Sequence, residues 1–196
     1  MKKQKQYSPE KFDTAAALIK HLKEKKQFNA SLPINIDKIS ELLGINVIYS
    51  NDFDSYDTIG SVILEKDKAT VRINSRQNDY EPRRRFTLAH EIGHLCRHLS
   101  ESRNTFIDTH KSMDRTASYW DTLESEANAF AAQLLMPKEL VLNQGNNIIS
   151  EYKDKHKVNQ MPVEDFVEKM SHIFVVSYQA MKYRLKNLGL LEISKN

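Results

Sequence analysis

The first third of the chain carries apolar residues at helical spacing. Between Phe12 and Lys26 they recur three and four positions apart, and the stretch ends in lysines that suit the negative end of a helix dipole. A shorter pattern begins beside Asp37, a candidate cap residue, and stops at Gly44. These patterns predict two helices at the start of the fold.

The pattern then changes from helical spacing to alternation. Residues 45–49 predict a strand, and residues 51–57 predict a polar loop. From Gly60 onward, apolar and polar residues alternate on both sides of a turn at residues 66–68, which predicts a β-hairpin. A strand edge exposed beside the following helix could hold an extended peptide by main-chain hydrogen bonds.

The next helical stretch carries two histidines on a face of their own. Its apolar stripe lies opposite His90 on a helical wheel and consists of Leu88, Ile92, Leu95 and Leu99. His94 follows His90 by one turn, so both rings can reach one metal ion, and Glu91 can act as a base toward water on that ion. This spacing predicts the ligand half of a zinc hydrolase rather than a solvated face or two core histidines.

A catalytic zinc normally takes three protein ligands, so a third ligand is needed. Residues 123–136 predict a strong helix that stops before Pro137. Glu124 lies about 50° from the centre of its apolar face and Glu126 about 110° away, which favours Glu124. Asn128, one turn after Glu124, could hydrogen-bond a ligating histidine. Three alanines would let this helix pack closely against the histidine helix: Ala127, Ala131 and Ala132.

Residues 101–121 lie between these two helices and predict a long, polar, irregular loop that could cover the site. His110 and Tyr119 in this loop are candidate donors to an oxyanion. His98 lies two turns beyond His90, too far along the helix to share one ion, and is expected to be a surface histidine.

The last part of the chain predicts a pair of helices. Residues 163–170 form one amphipathic pattern, and Ser177 caps a second that runs to Gly189. The second helix carries basic residues, namely Lys182, Arg184 and Lys186. Such a pair has the shape of a DNA-reading motif, but packing or docking of a protein partner is the favoured interpretation. We expect a domain at residues 1–140, and a helical region at residues 141–196 packed on it.

The composition is that of an ordinary globular chain. Of its 196 residues, 40% are hydrophobic and 28% charged, and the net charge of +3 does not by itself indicate nucleic-acid binding. The single cysteine, Cys96, is interpreted as a small buried side chain. The polar start, the lack of a long apolar run and the single cysteine favour a cytoplasmic protein. Residues 83–85, three arginines, are interpreted as a solvated patch.

Three motifs together resemble a known family. The first is Arg85-Phe86-Thr87-Leu88-Ala89-His90-Glu91-Ile92-Gly93-His94, the second is Glu124-x-x-Ala127-Asn128 with Leu134-Leu135-Met136-Pro137, and the third is Val176-Ser177-x-x-Ala180-Met181. Their combination resembles the ImmA/IrrE family of zinc metallopeptidases over most of residues 30–190. The resemblance implies an α+β, zincin-like core: a small antiparallel or mixed sheet, the His-Glu-x-x-His helix and a glutamate helix, followed by helix-turn-helix-like helices.

The resemblance also implies an activity. A relative of this family would be a cytoplasmic endopeptidase that cleaves a helix-turn-helix, XRE-like repressor and so releases stress-response or mobile-element genes. His90, His94 and a glutamate of the second helix would bind Zn²⁺, with Mn²⁺ also possible, and Glu91 would be catalytic. No membrane partner is expected, and direct nucleic-acid binding is disfavoured. The alternative is a metal-binding regulator that sequesters a repressor without cutting it, or that binds DNA through its last helices.

Overall fold

The computed structural model describes residues 10–51, 56–65, 68–100, 102–109 and 122–191. Its helices are α1 (Ala15–Lys26), α2 (Ile36–Leu42), α3 (Glu81–Arg97), α4 (Thr122–Leu135), α5 (Lys138–His156), α6 (Val163–Phe174) and α7 (Tyr178–Asn187). Its strands are β1 (Ile45–Ser50), β2 (Thr58–Leu64), β3 (Ala69–Asn74) and β4 (Thr105–Thr109). The fold is therefore α+β, as the sequence predicts.

The strands form one mixed sheet in the order β1-β3-β2-β4. Strand β2 pairs antiparallel with β3, which confirms the predicted hairpin, and β1 runs parallel to β3. Strand β4 pairs antiparallel with β2 and forms one edge of the sheet. The prediction of an irregular segment is therefore wrong for residues 105–109, where alternation is too short to stand out within a polar stretch.

Side-chain caps fix where the first two helices begin. Thr14 accepts a hydrogen bond from the backbone nitrogen of Ala17 at 3.1 Å and starts α1. Asn35, and not the predicted Asp37, caps α2, because its Oδ1 atom accepts from the backbone nitrogen of Lys38 at 2.8 Å. Asp37 is thus free to pair with a different part of the chain.

The arginines at the start of α3 do not form the predicted solvated patch. Arg84 forms a bidentate salt bridge with Asp37, in which both nitrogen–oxygen distances are 3.0 Å. It forms a second bidentate salt bridge with Glu81. Arg85 is 5% exposed and donates to the carbonyl oxygens of Ile34 and Val175 at 2.8 and 3.1 Å. Both arginines therefore tie α3 to distant segments.

Helices α6 and α7 belong to the same apolar core as α1, α3 and the sheet. Ser177 caps α7 as predicted, accepting from the backbone nitrogen of Ala180 at 3.1 Å. The core residues of these two helices include Val167, Met170, Phe174, Met181 and Leu185. Arg184 donates to the carbonyl oxygen of Met136 at 2.9 Å, so one of the three predicted basic residues is used in packing. The boundary after residue 140 remains a prediction.

Across the ranges described above, no helix has the length and apolar character that a membrane crossing requires.

Candidate metal centre

Helix α3 brings the two histidines together inside the protein. The rings of His90 and His94 have no exposed surface, and their Nε2 atoms lie 2.9 Å apart. Leu88, Ile92 and Leu95 fill the core on the other side of the helix, as the wheel predicts. The histidine face is covered by β4 and α4 and does not contact solvent, so these polar groups need partners there.

Helix α4 supplies a carboxylate to this pair. The Oε2 atom of Glu124 lies 3.2 Å from Nε2 of His90, and its Oε1 atom lies 3.4 Å from Nε2 of His94. Glu126 points elsewhere, to Arg97 at 2.8 Å and to His98 at 3.0 Å. Of the two glutamates that the sequence offers, Glu124 is the one beside both histidines.

Each histidine is held through the ring nitrogen that faces away from the cluster. Nδ1 of His90 lies 3.1 Å from Oδ1 of Asn128, the contact that the sequence suggests for this asparagine. An N–H on Nδ1 of His90 would donate to this oxygen and leave the lone pair of Nε2 for an ion. The tautomer is thus set by a neighbour on α4.

His94 is held by a second histidine. Its Nδ1 atom lies 3.0 Å from Nδ1 of His98, whose Nε2 atom lies 3.0 Å from Glu126. The side chain of His98 is only 5% exposed, so the prediction of a surface histidine is wrong. The spacing correctly predicts that His98 is too far along the helix to share the ion. It could not show that His98 contacts His94. Phe106 of β4 stacks on the ring of His94, with centroids 4.1 Å apart.

Asp108 is the residue that sequence reasoning missed. It is 1% exposed, and its Oδ2 atom lies 3.0 Å from Nε2 of His90. A single acidic residue within a polar stretch gives no signal of its own. The alternation of Phe106 and Asp108 could have suggested a strand with both side chains on one face.

The cluster leaves several buried carboxylate oxygens without a hydrogen-bond partner within the described part of the chain. They are both oxygens of Glu91, both of Asp108 and Oε2 of Glu124. Such groups are costly unless a cation satisfies them. Donor atoms from His90, His94, Asp108 and Glu124 lie within 4.8 Å of one another, so the residues present fit a divalent ion.

The charges in the cluster shift the ionisation of its members. Burial favours the neutral ring of His90, but the nearby carboxylates of Asp108 and Glu124 outweigh it and raise the pKa to about 9. Burial also opposes ionisation of Glu124, yet its contacts with His90 and His94 lower its pKa to about 2. The site therefore favours negative carboxylates beside a positive group.

Glu91 is buried on the same helix and faces strand β2. A Cβ atom on Gly60 would lie 2.5 Å from its Oε1 atom, so any larger residue at position 60 would have to displace the end of this side chain. Burial, and then the charge of Asp108, raises the pKa of Glu91 well above its ordinary value. Asn78 fixes this approach of α3 to β2, because it accepts from Thr87 at 2.7 Å and donates to the Ile59 carbonyl at 3.0 Å.

The two oxyanion candidates in the polar stretch, His110 and Tyr119, lie outside the described residues.

The fold is zincin-like. It combines a mixed sheet, a helix with two inward histidines and a second helix with an inward glutamate. The chain matches the Peptidase_M78 family, described as the IrrE N-terminal-like domain, over residues 41–186. It therefore belongs to this family of peptidases, whose members act on protein substrates. It is also similar to "Uncharacterized immunity region protein 2" of Bacillus phage phi105, with 30% identity over 139 residues, 71% of this chain and 79% of that protein.

Proposed function

We propose that this protein is a zinc-dependent endopeptidase of the cytoplasm that cleaves a helix-turn-helix, XRE-like transcriptional repressor. The observation that carries the proposal is the convergence of His90, His94 and Glu124 with Glu91 beside them in a buried cluster. Two imidazoles and a carboxylate are a ligand set of catalytic zinc sites. Mn²⁺ is the alternative ion, because it accepts nitrogen and oxygen ligands.

In this proposal His90, His94 and Glu124 hold the ion. Bound Zn²⁺ would polarise the scissile carbonyl and make water acidic enough to react near neutral pH. Glu91 then acts as the general base, because its oxygens have no partner among the described residues and can accept a proton from the attacking water. Glu91 would then pass this proton to the nitrogen of the leaving amine.

Substrate binding is assigned to strand β4. In the described sheet this strand pairs with β2 on one side, so an extended peptide can add to its outer side. Ile107 points outward from β4 and is 62% exposed, which offers an apolar contact. The inward residues of β4 contact the histidines, so a peptide on this edge would lie close to the cluster.

The repressor is proposed from two observations. The similar phage protein is named for an immunity region, which supports a role in controlling the genes of a mobile element. Helices α6 and α7 form a compact pair whose Tyr178 and Tyr183 are 37% and 41% exposed, and this surface could dock a protein. Arg184 donates a hydrogen bond to the carbonyl oxygen of Met136, which disfavours recognition of DNA by this side chain.

The test compares new protein N-termini in a host lysate after addition of the Zn²⁺-loaded wild type or of Glu91→Gln. We expect a DNA-binding repressor to gain an internal N-terminus with the wild type only. His90→Ala should lose both metal and turnover, whereas Glu91→Gln should keep the metal. The same new terminus with Glu91→Gln would remove Glu91 from the mechanism. A repressor that co-purifies uncut with both proteins would favour the sequestering alternative.

A further inference from the structure

Asp108 lies in the same buried cluster as His90, His94 and Glu124, but it has no role in the mechanism above. Its side chain is 1% exposed, and neither carboxylate oxygen has a hydrogen-bond partner in the described residues. Oδ2 lies 3.0 Å from Nε2 of His90 and 3.9 Å from Nε2 of His94. A buried carboxylate costs free energy unless a proton or a cation neutralises it, and an ion between His90 and His94 would do so for Asp108.

The strand geometry aims Asp108 at this point. Phe106 and Asp108 are two residues apart on β4 and so lie on one face, and Phe106 stacks on the ring of His94. Opposite Asp108 the pairing of β2 is irregular, since Thr58 faces Thr109 while Gly60 faces Asp108. An extra residue in one strand of a pair re-aims nearby side chains, and such bulges are common next to active sites.

The donor separations suit four ligands on one ion. Zinc bonds of about 2.0 to 2.2 Å in a tetrahedral site place the donor atoms about 3.3 to 3.6 Å apart. The Nε2 atoms lie 2.9 Å apart, and the contacts of Asp108 and Glu124 with them range from 3.0 to 3.9 Å. Asp108 is thus placed like Glu124, at ligand distance from the same centre.

We propose that Asp108 is a fourth protein ligand of the metal in the substrate-free protein. This inference rests on the proposed function, because it takes the ion held by His90, His94 and Glu124 as given. A catalytic zinc needs one position for water or substrate, so Asp108 must leave the ion, or the ion must gain a fifth ligand, before the reaction. Since Asp108 lies on the edge strand assigned to the peptide, substrate binding and release of this carboxylate would occur at one place.

The test measures Zn²⁺ affinity by competition with a chelator, and the visible spectrum of the Co²⁺-loaded protein, which depends on the number and type of ligands. The variants are Asp108→Asn, which nearly keeps the shape, and Asp108→Ala. Asp79→Asn is the matched control, because it removes one exposed carboxylate outside the cluster. Circular dichroism of the metal-free proteins checks folding, and Asp108→Asn carries the test if Asp108→Ala does not fold.

We expect both Asp108 variants to bind Zn²⁺ about tenfold more weakly or worse and to change the Co²⁺ spectrum, while Asp79→Asn changes neither. Wild-type affinity and spectrum in Asp108→Asn and Asp108→Ala would overturn the inference. Weaker binding with an unchanged spectrum would also overturn it, because Asp108 would then act through His90 and not on the ion. A wild type that fails to bind Zn²⁺ would instead overturn the proposed function.

Discussion

At the scale of single residues, the geometry of the site depends on close contacts around Gly60 and His98. Oε1 of Glu91 and Cγ2 of Thr87 would lie 2.5 and 2.9 Å from a Cβ atom on Gly60. On the other side of the cluster, His98 joins His94 to Glu126 through two contacts of 3.0 Å. In the proposed function, Gly60 and Thr87 position the base Glu91, and His98 and Glu126 position the ligand His94.

Gly60→Ala should separate catalysis from metal binding. The added methyl group must displace the end of Glu91, and a misplacement of about 1 Å can cost about 100-fold in rate. We expect kcat on the cleaved repressor to fall by this order while Zn²⁺ affinity falls far less, because the added methyl group meets Glu91 and Thr87 and not the histidines. Unchanged turnover would show that the position of Glu91 is not critical.

His98→Ala should weaken the metal site without removing a ligand. Groups that orient ligating histidines typically contribute 10- to 100-fold to metal affinity, so we expect the dissociation constant for Zn²⁺ to rise by this factor. Glu126→Gln should raise it less, because the amide oxygen can still accept from His98. His172→Ala is the matched control, because it removes an exposed histidine of α6. Equal affinity of His98→Ala and the wild type would contradict the positioning role.

At the scale of elements, the site requires α3 and α4 to pack closely. A Cβ atom on Gly93 would lie 3.3 Å from the Cα and carbonyl oxygen of Ala127 and from Cβ of Phe130. The small residues of α4 predict this contact. Close packing sets how far Glu124 reaches toward the histidines of α3.

Gly93→Val should therefore destabilise the protein by overpacking. We expect a loss of about 2 kcal/mol in the free energy of unfolding, measured by urea denaturation. Ala129→Val is the control, because Ala129 is exposed on α4 and its replacement costs at least as much helix propensity as that of Gly93, the poorer helix former. A similar loss in both variants would show that helix propensity, and not the α3–α4 contact, is responsible.

The elements also show where prediction from sequence succeeds. The other helices, the hairpin and the Glu124 side of α4 follow from local periodicity, which a single sequence displays, whereas α5 is predicted only as part of the helical region at residues 141–196. Strand β4 does not, because its five residues are held by pairing with β2, more than 40 positions away in the chain. The position of Asp108 beside His90 depends on that same pairing, and the position of His98 depends on α4, which places Glu126 beside it. The cap of α2 by Asn35 shows that two neighbouring cap-forming residues cannot be distinguished by type alone.

At the scale of the whole molecule, arginines connect segments that are distant in sequence. Arg85 joins the segment before α2 and the turn before α7 to α3 through two backbone carbonyl oxygens. Arg84 joins α2 to α3 through Asp37 and also contacts Glu81 and Tyr49. The buried carbonyls would be costly if left unpaired, so these side chains are part of the core's structure and not of a solvated patch.

The Arg84 cluster gives a prediction about stability and pH. Burial favours the neutral form of Asp37, but the hydrogen bonds and charge of Arg84 outweigh the effect of burial and lower the pKa of Asp37. The hydrogen bond from Arg84 also lowers the pKa of Glu81. A carboxyl whose pKa is lower in the folded than in the unfolded protein stabilises the fold at any pH above its unfolded pKa of about 4. This stabilisation is lost as the pH falls through the pKa of the carboxyl in the folded protein.

Arg84→Met should accordingly unfold more easily than the wild type at pH 7, by about 1 kcal/mol, and the difference should shrink as the pH falls from about 5 to about 3. Urea denaturation at each pH measures it, and because both proteins carry the same metal-site carboxylates, the titration of that site cancels in the difference. Arg83→Met controls for loss of a positive charge, since Arg83 is exposed and its nearest partner is the uncharged carbonyl oxygen of Gln77 at 3.3 Å. A difference between the wild type and Arg84→Met that stays constant with pH would mean that Arg84 stabilises the fold by packing and not by its ion pairs.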